Sequence, residues 1–130
     1  MNIRFIAKQL ALLVAVLGGA MAIVAAWGGV QAGLGSEGEA TASLALLAAA
    51  GLSAVVAVAG WLIGRGTNDF LDRREALLLV VLSWMSAAVL GGAPYFLWTF
   101  FADMQGHVFR SPIASIFEAM SGLTTTGATV

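Results

Sequence analysis

Three long apolar runs leave this chain few ways to fold. About 20 consecutive apolar residues suffice to cross a bilayer as a helix. The 130-residue sequence carries such runs at about Leu10 to Val30, Ser43 to Ile63 and Ala76 to Phe101. In hydrocarbon every backbone N–H and C=O must be bonded within the segment, so each run is expected to be a transmembrane helix. Composition points the same way, because only 10% of the residues are charged whereas a soluble domain carries about a quarter. The fold expected is all-α integral membrane: three transmembrane helices, then a re-entrant pore half-helix and filter loop. Together the last span and the loop amount to an incomplete span–pore–span repeat.

The connections set the expected topology. Gln31 to Ala42 is glycine-rich and carries Glu37 and Glu39, whereas Gly64 to Glu75 carries Arg65, Arg73 and Arg74. With Arg4 and Lys8 ahead of the first span, five of the six basic residues fall on one side, and Arg110 falls on the other. Positive residues stay inside, so the amino terminus is expected to be cytoplasmic, in a multi-pass protein of the bacterial cytoplasmic (inner) membrane. A cleavable signal peptide also fits Arg4, Lys8 and the small-residue pattern Ala20-Met21-Ala22. Against it, the apolar run continues through Trp27 to Val30, where a mature chain would turn polar.

Several functions are disfavoured. The net charge is −1 with no basic stripe, so no nucleic-acid partner is expected. There is no cysteine and one histidine, His107, read as a solvated loop residue. No nucleophile–base pair or metal cluster can be assembled from these residues, so neither an enzyme nor a bound cofactor is expected. Ala15 and Gly19, then Ala22 and Ala26, place small residues four apart, which permits close helix contact. Asp72 and Glu75 have capping-box spacing at the start of the third span. Pro94 is expected to bend that span near Leu90. Tyr95, Trp98, Phe100 and Phe101 fall where an interfacial aromatic belt is expected.

The carboxyl-terminal stretch carries the chemistry. Ser111-Pro112 reads as a helix start, with serine capping a free donor and proline in the first turn. Pro112 to Leu123 would be about 18 Å long at 1.5 Å per residue, half a bilayer and too short to span it. Its carboxyl end carries the equivalent of about half a negative charge, which favours a cation. Gly122 is expected near the change of chain direction. Beyond it, Thr124 to Ala128 is expected to run extended and aim successive carbonyls at an ion, with Gly127 adopting angles that a residue with Cβ resists. Non-helical backbone at this depth requires burial in protein or a water-filled cavity. Glu118, mid-helix, is expected either to support the filter from behind or to be an ordinary hydrogen-bonded carboxylate.

The segments Arg73-Arg74-Glu75-Ala76-Leu77-Leu78-Leu79-Val80-Val81-Leu82-Ser83-Trp84, Gly91-Gly92-Ala93-Pro94 and Phe117-Glu118-Ala119-Met120-Ser121-Gly122-Leu123-Thr124-Thr125-Thr126-Gly127-Ala128-Thr129 resemble the first pore-forming repeat of Trk-type bacterial potassium uptake proteins. The resemblance covers about residues 65–130. It divides the chain into a helix pair at 1–64 and a first pore-forming repeat at 65–130. It implies four span–pore-loop–span repeats around one potassium pathway in the lipid bilayer, with a cytoplasmic nucleotide-binding regulator ring as partner. Potassium would be the transported substrate, held by carbonyls of Thr125, Thr126 and Gly127, with Thr124 and Ala128 beside them. The chain departs from that pattern by holding one pore loop and ending before the helix that completes its repeat. It is therefore expected to be an amino-terminal portion that does not conduct alone, since a filter needs a ring of carbonyls. The alternative is a small membrane scaffold or assembly protein without transport activity.

Overall fold

A computed structural model of the protein describes residues 2–34, 37–67 and 72–130. These residues form α1 (Ile3–Gly33), α2 (Glu37–Gly64), α3 (Arg73–Phe101), a 3-10 turn η1 (Val108–Arg110) and α4 (Pro112–Leu123). The first three helices are long and apolar enough to cross a membrane. They outrun the apolar stretches at both connections, so much of the expected loop Gln31 to Ala42 is helical. An apolar run marks the part of a helix that hydrocarbon can cover, whereas backbone hydrogen bonds continue until a capping group stops them. Residues 68–71 of the polar turn lie outside the described residues.

The α1–α2 interface is built from small side chains, but not on the expected face. Ala15, Gly19 and Ala26 are exposed, and the buried stripe of α1 is Ile6, Ala11, Val14, Gly18, Met21 and Ala25. Small residues surround the whole helix, so spacing alone could not select the face. The partner decides it: a Cβ on Gly18 would lie 2.9 Å from Ser53 Cβ, and one on Gly60 would lie 3.1 Å from Ala11 Cβ. Ser53 and Ala49, both fully buried, form the matching stripe on α2. The buried hydroxyl of Ser53 is satisfied by the Ala49 carbonyl at 2.9 Å. Val14, Ala57 and Leu90 meet where all three long helices touch.

At one end of the bundle, cations close the carboxyl terminus of α2. Arg4 Nε donates to the Ile63 carbonyl at 3.0 Å, and Lys8 Nζ donates to the Thr67 carbonyl at 3.2 Å. Positive charge there complements the helix dipole and its unbonded carbonyls. The capping box is present at the start of α3, with the Asp72 N–H donating to Glu75 Oε2 at 3.2 Å. Glu75 Oε1 also accepts the Asn2 N–H of α1 at 2.5 Å. One buried carboxylate thus serves the amino ends of two helices. Those N–H groups, Asn2 first and Asp72 second, hold its carboxyl below the usual carboxylate range. Outward-facing residues such as Val16, Ile23, Val55 and Val81 are more than half exposed, an apolar surface suited to a lipid surround.

Candidate ion-binding loop

α3 runs unbroken through Pro94, and α4 folds back along its second half. The close approach depends on Gly92, where a Cβ would lie 3.0 Å from the Ile116 nitrogen and from the Ser115 carbonyl carbon and oxygen. One helical turn further along α4, Ala119 faces Gly91, with a 3.5 Å gap to a Cβ placed there. Small residues on both sides let the two backbones nearly touch. Ser115 and Ala119, four apart, were the signal for this docking face, visible only once α4 is set against Gly91-Gly92.

The start of α4 departs from expectation. Ser111 makes no side-chain cap bond, although Pro112 does occupy the first turn. Nearby side chains instead tie the turn before α4 in place: Ser115 Oγ, on a residue 1% exposed, donates to the Phe109 carbonyl at 2.9 Å. His107 Nδ1 accepts the Phe109 N–H at 3.2 Å and caps η1. His107 is therefore half-buried and bonded, not simply solvated; it meets Trp98 edge-on at 5.4 Å and Phe109 at 5.2 Å. Tyr95 joins this cluster through Phe109, while Phe100 carries the Arg110 guanidinium 4.4 Å above its ring.

The end of α4 is also different from an extended loop. Thr124 has φ −88° and ψ 0°, Thr125 has φ 55°, and Gly127 has φ 72°. The Thr126 N–H donates to the Ser121 carbonyl at 3.0 Å and the Thr125 N–H to Gly122 at 3.2 Å. That pair of bonds is a Schellman turn, which closes helix-end carbonyls and needs a left-handed residue at the position Thr125 fills. Glycine is the usual occupant, so a β-branched residue there is strained. The reversal thus falls at Thr125, after the helical Gly122. The expectation for Gly127 holds: its φ is positive, and nothing lies within 4 Å of a Cβ placed there.

The turn determines which groups are left for an ion. Met120, Ser121 and Gly122 spend their carbonyls on the turn, and Thr124 accepts its neighbour Thr125 Oγ1 at 2.7 Å. Thr124 and Thr126 hydroxyls pair at 2.7 Å. Among the described residues, no hydrogen bond is made to the carbonyls of Thr125, Thr126, Gly127 or Ala128. Glu118 has one carboxylate oxygen buried without a hydrogen-bond partner, so the hydrogen-bonded alternative fails for that atom. Leu123, the last residue of α4, lines a cavity of about 260 Å³ with Leu10, Val14, Leu17, Ser83 and Ala87. The tip of α4 therefore lies beside the middle of α3. Among the described residues no group of three His, Asp or Glu side chains could hold a metal ion.

No family model matches the chain, and no solved structure matches it. One curated protein is similar: the Trk system potassium uptake protein TrkH of Halomonas elongata is 33% identical over 86 residues. The match covers 66% of this chain and 16% of that protein, so the chain spans a small part of its relative's length. Among its described residues the regular structure is all helical, with three helices long and apolar enough to cross a membrane, and 86 residues of the chain are similar to a potassium uptake protein.

Proposed function

We propose that this chain forms part of the pore-forming subunit of a potassium uptake system in the bacterial cytoplasmic membrane. On this reading α4 is a re-entrant half-helix, and Thr124 to Ala128 is one quadrant of a filter. The observation that carries it is the hairpin of α3 and α4. A 12-residue helix, about 18 Å long, folds back on a membrane-length helix and stops beside its middle. It delivers a strained turn and uncommitted carbonyls there. A disordered tail, or a scaffold that needs only packing surface, has no use for that arrangement. The similarity to a potassium uptake protein supports potassium as the ion.

The chemistry is replacement of the hydration shell by carbonyl dipoles. Thr125, Thr126 and Gly127 supply the ligands, with Thr124 and Ala128 flanking them. α4 adds the field of its carboxyl end, although most of its terminal carbonyls are spent in the turn and do not ligate. Glu118 sits on α4 behind the filter, with one carboxylate oxygen buried and without a hydrogen-bond partner. The remaining repeats complete the ring, and a cytoplasmic nucleotide-binding regulator ring is the partner that would gate it. The clustering of Arg4, Lys8, Arg65, Arg73 and Arg74 near one end of the bundle supports a cytoplasmic amino terminus.

The test is uptake of rubidium, as a potassium tracer, in a bacterium lacking its own uptake systems and expressing the complete gene. Gly127→Val is expected to abolish uptake without loss of the protein from the membrane, because valine resists the positive φ. Uptake unchanged in Gly127→Val would remove Thr124 to Ala128 from the pathway and leave the scaffold alternative.

A further inference from the structure

We propose that His107 is a proton-operated latch on the connection between α3 and α4, holding α4 against α3 when neutral and releasing it when protonated. The device stands on the hairpin geometry alone and does not depend on what the loop transports.

Neutral imidazole has one ring nitrogen that accepts and one that donates, whereas the protonated ring only donates. Here Nδ1 accepts the Phe109 N–H at 3.2 Å, which assigns the proton of the neutral ring to Nε2. A proton taken from solvent onto Nδ1 turns this contact into donor against donor. The consequence runs along a short bonded chain. The Phe109 N–H is held by His107, and the Phe109 carbonyl is held by the buried Ser115 hydroxyl at 2.9 Å. Ser115 is the residue whose backbone Gly92 lets in close. Losing the first bond loosens η1 and, through Phe109, the seat of α4.

The surroundings do not supply a competing partner. From α3 the imidazole meets Trp98, and from η1 it meets Phe109. The titratable or charged groups of the adjoining elements are otherwise engaged or apart. Tyr95 packs on Phe109, Asp103 accepts Gln105 Nε2 at 3.1 Å, and Arg110 stacks on Phe100. Glu118 is the one titratable residue of α4, and it makes no bond to His107 among the described residues. At the amino end of α2, where Ala42 and Leu46 share a cavity with Trp98 and Phe109, Glu39 is exposed, and among the described residues no hydrogen bond or ion pair joins a carboxylate to the ring.

The sequence holds a single histidine, so nitrogen-15 labelling of histidine reads the latch directly in the protein reconstituted in lipid nanodiscs. At pH 8 the ring is expected as the neutral Nε2–H tautomer. Hydrogen exchange over residues 107–116, corrected for intrinsic pH dependence, is expected to quicken about 3–10-fold at pH 5, the size of one lost neutral hydrogen bond. His107→Asn keeps an acceptor at the cap and takes up no proton there, so its exchange should stay slow at both pH values. His107→Ala should be fast at both. An Nδ1–H tautomer at pH 8, or wild-type exchange that tracks His107→Asn between pH 8 and 5, overturns the proposal. The tautomer measurement needs no variant, so it remains decisive even if one fails to fold.

Discussion

At the scale of single residues, Thr125 shows how a local rule can be broken where a site is expected. Its left-handed backbone costs about 1–2 kcal/mol for a residue with Cβ. Thr125→Gly would remove that strain, and the glycine would lose about 0.5–1 kcal/mol in chain entropy on folding. The difference favours the variant, so the turn should become more stable by up to about 1.5 kcal/mol. Slower exchange of the Thr125 and Thr126 amides would show it, and exchange as fast as or faster than the native chain's would contradict it. The positive φ of Gly127 was legible in the sequence because glycine announces that freedom. That of Thr125 was not, since no residue-level preference points to it; closure of the helix-end carbonyls imposes it.

Among elements, the contact of α3 with α4 is the one on which the candidate site depends. Gly92→Ala would push a methyl to 3.0 Å from three backbone atoms of Ser115 and Ile116. Overpacking of this kind costs about 1–3 kcal/mol, and here a whole helix must shift to relieve it. Gly92→Leu should therefore displace α4 and lower rubidium uptake while leaving α1 and α2 folded. Membrane-extracted protein with native helix content but rapid exchange across residues 112–123 would be the signature, and native exchange there would refute it. Gly91→Ala is the milder control, because its Cβ meets only Ala119, at 3.5 Å. The presence of three long helices was readable from apolar runs, whereas their ends and the packing face of α1 were not. With small residues all round the helix, only the fit of Gly18 to Ser53 selects it.

On the scale of the whole molecule, Glu75 ties the two halves of the chain together. Its carboxylate accepts N–H groups from Asn2 and Asp72, and its carboxyl is held below the usual range. A depressed value in the folded state means stability that is fully present above the unfolded value of about 4.3. That stability is lost as pH falls through the lower folded value. Docking of the α1 amino end should accordingly weaken only in acid below about pH 4.3. Glu75→Gln should show weak docking at all pH values and no acid transition. Exchange of the first-turn amides of α1 between pH 3 and 7 would distinguish the two, and an acid transition that survives in Glu75→Gln would assign it elsewhere. This transition is separate from the His107 latch in place.

By itself the sequence determined the all-helical class, the three membrane-length helices among the described residues, the short proline-started helix after them and the residues at its tip. Those follow from apolar run length, proline and glycine placement and polar boundaries, all of which act over a few neighbouring residues. The tertiary structure alone decided which face of α1 packs, that Glu75 caps two helices, that His107 is bonded, and that the chain reverses at Thr125. Each of these depends on groups far apart in sequence, or on the competing demands of unpaired carbonyls at a helix end. Only folding brings such partners to within hydrogen-bond distance.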